Sequence, residues 1–292
     1  ANIKAQKDDI KNFGDAEAGS VVVLNAKTGA TLAMANYPNY DNSIFLAPSS
    51  DKEAQQAIAD LFTDKTSPSL NRATQGLYPV GSTFKPITAI AALESGKTNT
   101  SRQIKCNGYL LINNHSHACM GYHSNISLKT AIAKSCNVYF QQIGVETGVE
   151  SIDYWAKSSG LGEKTGIEIN EYAGYRSNRE TMKIKETDIY HKWTESDTAQ
   201  TSIGQLYTQF TPLQLCNYAA ALGNGGYRNQ PTLVLKTVTA EGVETWNKSN
   251  NRVKLDISDK TLDIVKAGMK AVVDTKDTSA HVAFKNFKPG FV

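Results

Sequence analysis

The chain has 292 residues, with 40% hydrophobic and 20% charged side chains, a balance that describes a folded globular protein and excludes a disordered or fibrous one. Its formal net charge of +3 and scattered lysines leave no basic footprint for nucleic acid, so no nucleic-acid partner is expected. No apolar run reaches the roughly 18 residues of a membrane span, residues 1–15 are polar with no signal-peptide core, and the four cysteines are too few for a disulfide scaffold.

In chain order, Gly19 to Leu24 and Thr31 to Ala35 flank a Gly-bearing turn at Asn25 to Gly29 and predict a β-hairpin. Pro38 to Ser50 has turn residues and no period, and Asp51 to Asp60 reads as a short helix. Tyr78-Pro79-Val80-Gly81 punctuates the chain. After it Phe84, Ile87, Ile90, Ala91 and Leu93 keep a helical period from Ser82 to Ser95, closed by Gly96. Asn107 to Tyr122 is polar and reads as a hairpin or long loop. Helices are expected over Ser127 to Ala133 and Val138 to Thr147, with Ser135-Cys136-Asn137 at their joint. Asp197 to Gln205 is small and polar. Thr211 to Leu222 is helical, with Pro212 near its start and Gly223 to Gly226 ending it. Thr232 to Thr239 reads as strand and Lys260 to Val273 as an amphipathic helix. There is no internal repeat, and one compact unit with an α-rich middle is the simplest organisation.

Two short motifs carry chemistry. A serine hydroxyl is a poor nucleophile until a base takes its proton, and on a helix positions i and i+3 share a face, so Lys85 can reach Ser82 within Ser82-Thr83-Phe84-Lys85. A helix N-terminus would add N–H groups that favour developing negative charge. Lys85 has to be neutral to act as a base, which burial promotes. By itself a Ser-x-x-Lys is usually an exposed helix start, and Ser135 with Asn137 taken alone is usually a capping pair. In this order they form two parts of one site, with Ser135 relaying a proton and Asn137 holding a substrate amide.

With these residues the chain resembles the penicillin-binding protein transpeptidases, relatives of the serine β-lactamases. The resemblance rests on Gly19 to Gly29 with Leu32 to Ala35, Asn71-Arg72-Ala73, and Tyr78 to Pro86. It continues through Ser135 to Phe140, Gly160-Leu161-Gly162 with Thr165-Gly166-Ile167, and Asp197 to Gln200 with Ser202 to Gln205. Thr211 to Leu215 and Ala221 to Gly226 complete it. It implies an α/β (α+β) fold of the penicillin-binding/serine β-lactamase-like type, an antiparallel sheet flanked by helices plus an all-helical subdomain. On that plan 1–292 is a single truncated transpeptidase domain, sheet-associated over about 1–60 and 231–292 and helical over about 61–230. The implied activity is serine-type D-Ala-D-Ala transpeptidation through an acyl-enzyme on Ser82. The implied partners are stem peptides ending in D-Ala-D-Ala, β-lactam antibiotics and other cell-wall synthesis proteins, and the implied setting is extracytoplasmic, anchored to the cytoplasmic membrane.

A third family motif, Lys-Thr/Ser-Gly on a late strand, is expected to hold the substrate carboxylate. The triplet occurs at Lys27-Thr28-Gly29 and Lys164-Thr165-Gly166, both at the wrong place in the order and both read as turns. The late strands are therefore expected beyond Val292 or from a separate segment, leaving the Gly19 to Ala35 hairpin as this chain's share of the sheet. A class D-like β-lactamase is the main rival, disfavoured by Asn137. A β-lactam sensor or inactive scaffold is another, and the insertions at Lys105 to Tyr122 and Tyr172 to Asp197 fit a sensor poorly.

Catalysis by this family needs no cofactor, yet one stretch gathers two of the four cysteines and three of the five histidines. On an extended strand His115, His117 and Cys119 share a face, and Cys106 on a returning strand completes a tetrahedral set for a structural zinc. A Cys106 to Cys119 disulfide and unliganded thiols remain open alternatives. His123 is left out because it resembles a histidine common in the family. Cys136 is expected to point into the core, and Cys216 to pack on an apolar helix face.

Overall fold

The computed structural model describes residues 17–188, 190–247, 251–276 and 278–284. The polar stretch at 1–15 lies outside them. Strands β1 (Gly19–Leu24) and β2 (Thr31–Tyr37) form the expected antiparallel hairpin, with a bulge at Val23/Leu24. Asn25 makes the turn by accepting from Lys27 N at 2.9 Å, and Gly29, at φ +79°, lies where a Cβ would come within 2.6 Å of the Gln230 carbonyl oxygen. Among the described residues no third strand joins this sheet, and Val21, Val23 and Leu32 are exposed on one face of it. Helix α1 (Lys52–Thr63) is N-capped by Asp51, and α2 (Arg72–Gln75) leads to the short strand β3 (Tyr78–Pro79).

The predicted helix from Ser82 divides in two. Gly81–Phe84 is a 3-10 turn, and the α-helix proper, α3 (Lys85–Glu94), starts at the lysine with Pro86 in its first turn. Every residue from Lys85 to Ala92 is buried, making α3 the axis of the core. Around it stand α4 (Leu128–Ala133), α5 (Asn137–Thr147) and α6 (Val149–Ser158), with Tyr139, Phe140, Ile143 and Ile152 filling the space between them.

Before α4 the chain runs through β4 (Gln103–Cys106), β5 (Tyr109–Ile112), β6 (His115–Ala118) and β7 (Ser124–Ser127), with β5 paired to β6 and β4 to β7. Of the two readings of Asn107 to Tyr122, the hairpin is the one found. Asn113 and Asn114 make its two-residue turn at φ +48° and +65°, values that asparagine tolerates better than most side chains.

Two further helices follow, α7 (Arg179–Lys185) and α8 (Glu195–Thr201). The sequence of the second is only small and polar. Its periodicity is hidden because its core contacts are made by Ala199, Thr198 and Thr201, and a Thr194/Asp197 capping box starts it. After the short strand β8 (Gln209–Phe210), α9 (Pro212–Gly223) has its own capping box from Thr211 and Gln214 and packs under the β1–β2 hairpin, where the Cys216 thiol meets the Val22 carbonyl at 3.6 Å. Strand β9 (Tyr227–Asn229) pairs with β12 (Arg252–Lys254). The long strand expected over Thr232 to Thr239 shortens to β10 (Lys236–Val238), paired with β11 (Glu244–Trp246). Helix α10 (Asp259–Asp274) lies on α4 at Gly268, where a Cβ would stand 2.4 Å from Ile132 Cδ1, and the short α11 (Ser279–Phe284) follows it.

Gly204, just after α8, has φ +74° and sits against the loop that carries Ser82. Gly81 N donates to its carbonyl at 2.9 Å, and a Cβ there would meet Gly81 O at 2.1 Å. Gly204→Ala combines backbone strain with overpacking and should cost about 3 kcal/mol of folding stability, measured by denaturant unfolding. A variant as stable as the parent would show that the contact is not held in solution.

Candidate active site

Three segments meet at the mouth of α3. The 3-10 turn carries Ser82, the first turn of α3 carries Lys85, and the joint between α4 and α5 carries Ser135 and Asn137. Ser135 sits at φ +53°, and the resulting tight corner turns its hydroxyl and the Asn137 amide toward the lysine. Lys85 Nζ lies 3.1 Å from Ser82 Oγ, 2.9 Å from Ser135 Oγ, 2.7 Å from Ser135 O and 2.7 Å from Asn137 Oδ1. Ser135 Oγ is 2.9 Å from Ser82 Oγ, so hydroxyl, amine and hydroxyl form a closed triangle. All four sequence-chosen residues therefore stand together. Thr83 Oγ1 donates to Val80 O at 2.7 Å, within the turn that carries Ser82.

Lys85 is only 2% exposed, and this burial pulls its amine down from 10.5 to about 8, against the opposing pull of the Cys119 and Cys136 thiols. A lysine of this kind holds a useful neutral fraction near neutral pH while keeping enough basicity to take a hydroxyl proton.

The cysteine and histidine groups that the structure brings together differ from the set expected. The groups that converge are Cys106, Cys119, His123 and Cys136, with their donor atoms all within 4.8 Å of one another. His115 and His117 stand apart from it: His115 is exposed, and His117 Nε2 lies 2.7 Å from Ser196 Oγ on α8. The strand alternation that selected them fails because β6 ends at Ala118. The chain then doubles back, so that β7 starts with Ser124 paired to Cys106 and brings His123 beside that cysteine. Cys136 is buried as expected, but its thiol faces the cluster. Its place between two cleft-facing residues was the available signal, since it must point to the opposite side, toward β4.

The spacings suit a tetrahedral ion. Cys106 Sγ and Cys119 Sγ lie 3.5 and 3.6 Å from His123 Nδ1, and Cys119 Sγ lies 3.9 Å from Cys136 Sγ. Ligands around zinc, with Zn–S about 2.3 Å and Zn–N about 2.0 Å, stand roughly 3.5 to 3.8 Å apart. Burial and then the nearby Lys134 and Lys85 charges lower the His123 pKa, favouring the neutral, ligating imidazole. Burial raises the Cys119 thiol, but donors from Val138, Gly121, Asn137 and the Cys106 thiol outweigh it and leave Cys119 below its usual range. All four cysteines are free thiols.

A cleft of about 1000 Å³ opens over the triangle, and Ser82, Lys85, Ser135, His123, Leu215 and Met269 are among the residues that line it. Neither early Lys-Thr-Gly triplet lines it. Lys27 to Gly29 form the β1–β2 turn, while Thr165 and Gly166 donate through their backbones to the Glu171 carboxylate at 2.9 and 2.7 Å.

A family model described as "Penicillin binding protein transpeptidase domain" matches residues 19–290. The chain belongs to the penicillin-binding protein transpeptidase family. It is 34% identical over 220 residues to the peptidoglycan D,D-transpeptidase MrdA of Haemophilus influenzae, covering 74% of this chain and 33% of that one. Among solved structures, the complex of the Helicobacter pylori penicillin-binding protein PBP2 with MreC superposes with a TM-score of 0.80 at 26% identity, over 97% of this chain and 50% of that one. The imipenem acyl-enzyme of penicillin-binding protein A from M. tuberculosis gives a TM-score of 0.75 at 27% identity, over 88% and 57%. The chain thus spans a third of the MrdA relative's length. Its fold is the penicillin-binding/serine β-lactamase-like mixture of helices and strands, as the resemblance implied. Among the described residues no helix of this domain is long and apolar enough to cross a membrane.

The proton on Lys85 sets a pH dependence. Below about 8 the amine is charged and cannot accept from Ser82, so the rate at which Ser82 reacts with an acyl donor should rise with pH and level off above about 8. Stopped-flow acylation across that range is the measurement, and a rate still climbing toward 10.5, the ordinary lysine value, would contradict the buried amine.

Proposed function

We propose that this domain performs the acyl-transfer chemistry of a peptidoglycan D,D-transpeptidase, with Ser82 as nucleophile. The observation that carries this reading is the triangle of Ser82 Oγ, Lys85 Nζ and Ser135 Oγ, closed at 2.9 to 3.1 Å. Ser82 attacks the carbonyl of the penultimate D-Ala of a stem peptide while its proton passes to neutral Lys85. The C–N bond to the terminal D-Ala then breaks as Ser135, re-supplied by Lys85, hands that proton to the departing amine. An amine from a second stem peptide resolves the ester and regenerates Ser82. Asn137 keeps Oδ1 on Lys85 and has a second amide hydrogen for a substrate carbonyl. A β-lactam places its strained amide at the same oxygen, in line with the acyl-enzyme solved for the mycobacterial relative.

We also propose that the whole protein sits outside the cytoplasmic membrane, anchored to it; the name of the Haemophilus relative supports work on peptidoglycan, and the MreC complex of the Helicobacter relative supports action together with other cell-wall synthesis proteins. Asn137 in contact with Lys85 favours the transpeptidase over the class D-like β-lactamase. Labelled penicillin should attach to Ser82, persist, and be absent from Ser82→Ala, while Lys85→Ala should slow attachment at least about 10³-fold. Rapid turnover of the label would favour the β-lactamase instead, and lasting attachment without transfer to an acceptor amine would favour a sensor.

We further propose that Cys106, Cys119, His123 and Cys136 hold a structural zinc. The ion would tie β4, the segment after β6 and the α4–α5 joint together, bracing the turn that aims Ser135 and Asn137; acyl transfer itself stays with the side chains. Metal analysis should find about one zinc per chain, lowered by Cys119→Ser and by His123→Ala and retained in His115→Ala. Unchanged zinc in Cys119→Ser would remove the assignment.

A further inference from the structure

Asn137 is held at both ends of its amide. Oδ1 faces the Lys85 amine at 2.7 Å and Nδ2 donates to Ala118 O at 3.1 Å, a pair of partners that permits one orientation of the group. The backbone of Asn137 is tied to the same strand end, its N–H pointing at Cys119 Sγ at 3.3 Å. The plane of the catalytic amide therefore depends on where the end of β6 lies.

The strand end is in turn fixed from the far side. His117, next to Ala118, places Nε2 2.7 Å from Ser196 Oγ in the first turn of α8. Helix α8 is rigidly placed. Its start is locked by the Thr194/Asp197 capping box, and Thr88 Oγ1 of α3 donates to Ser202 O at 2.7 Å just past its end. It also packs against α5 so closely that a Cβ on Gly144 would lie 2.3 Å from Ser202 Cβ. Two residues further, Gly204 O accepts from Gly81 N at 2.9 Å, immediately before Ser82. The contacts thus run in a closed ring: Ser82, Lys85, Asn137, Ala118, His117, Ser196, α8, Gly204, Gly81 and back to Ser82.

We infer that His117 and Ser196 are positioning residues for acyl transfer, clamping β6 to α8 so that the Ala118 carbonyl holds the Asn137 amide in register with Lys85. Neither touches the reacting atoms. Their contact closes the ring between the hairpin, which bears the amide's acceptor, and the helix, which bears the anchor of the nucleophile's loop. The inference rests on the proposed reading of Ser82 as an acylated nucleophile and adds to it a clamp outside the Ser82, Lys85, Ser135 and Asn137 set.

The test is a double-mutant cycle on penicillin acylation, with wild-type protein labelled in parallel. His117→Ala and Ser196→Ala should each lower the acylation rate constant about three- to tenfold, the loss expected for one hydrogen bond, and the double variant should be no slower than either single one. His117→Gln, which can still reach Ser196, should recover most of the rate. In an Asn137→Ala background His117→Ala should have no further effect, because the group it positions is gone. Zinc content and melting temperature are measured alongside. Unchanged acylation, a full additional loss in the Asn137→Ala background, or a loss that tracks zinc content would each overturn the clamp. If wild-type protein takes no label, the acyl-enzyme reading fails. The clamp is then judged on the Asn137 side-chain amide NMR signal, which should move toward its free position in His117→Ala if the clamp exists and stay in place if it does not.

Discussion

A lysine amine buried in the protein interior, with hydroxyl and amide oxygens within hydrogen-bonding reach, is the constraint around which this domain is arranged. Removing Lys85 from water is unfavourable unless every hydrogen finds an acceptor. Ser82 Oγ, Ser135 Oγ, Ser135 O and Asn137 Oδ1 meet that need, and they come from both sides of the amine. The same desolvation that makes the site costly to build also lowers the amine's basicity, so the cost to folding and the readiness for proton transfer have one physical origin.

The surrounding architecture maintains that arrangement against relaxation. The core helix α3 is buried from Lys85 through Ala92, so the amine cannot swing out without disturbing the packing. Gly204, where a Cβ would meet Gly81 O at 2.1 Å, allows the Ser82 loop and the end of α8 to approach at backbone distance, and Gly268 lets α10 lie directly on Ile132. The positive φ of Ser135 is a strained feature retained at the place where two side chains must face one cleft. The cysteine and histidine cluster adjoins the same joint, since Cys136 is the residue between Ser135 and Asn137. A zinc held there, as proposed, would brace this corner.

Legibility in the sequence followed the range of the interactions. Ser82 and Lys85 are three residues apart, and their meeting needs only one helical turn, although the helix begins at Lys85 and Ser82 sits in a 3-10 turn before it. Ser135 and Asn137 were readable as a motif because order along the chain, after a Ser-x-x-Lys, narrows what they can be. The β1–β2 hairpin, α9 and α10 were visible because their turn residues, capping residues and apolar periods are local properties. Helix α8 was not, because small residues pack it, leaving too weak an apolar period to read.

The sequence by itself determined which four residues meet at the site, Ser82, Lys85, Ser135 and Asn137, since each is picked out by residue type at short spacing. To these the proposed roles of nucleophile, base, relay hydroxyl and amide partner are assigned. Only the tertiary structure decided which thiols and imidazoles converge: strand alternation favoured His115 and His117, whereas β4–β7 pairing and the turn at Ser135 delivered His123 and Cys136. Tertiary structure also decided that Lys85 is buried and that Ala118, His117 and Ser196 connect the hairpin to α8. These outcomes depend on strand register and helix packing between residues far apart in the chain, which residue spacing alone does not encode.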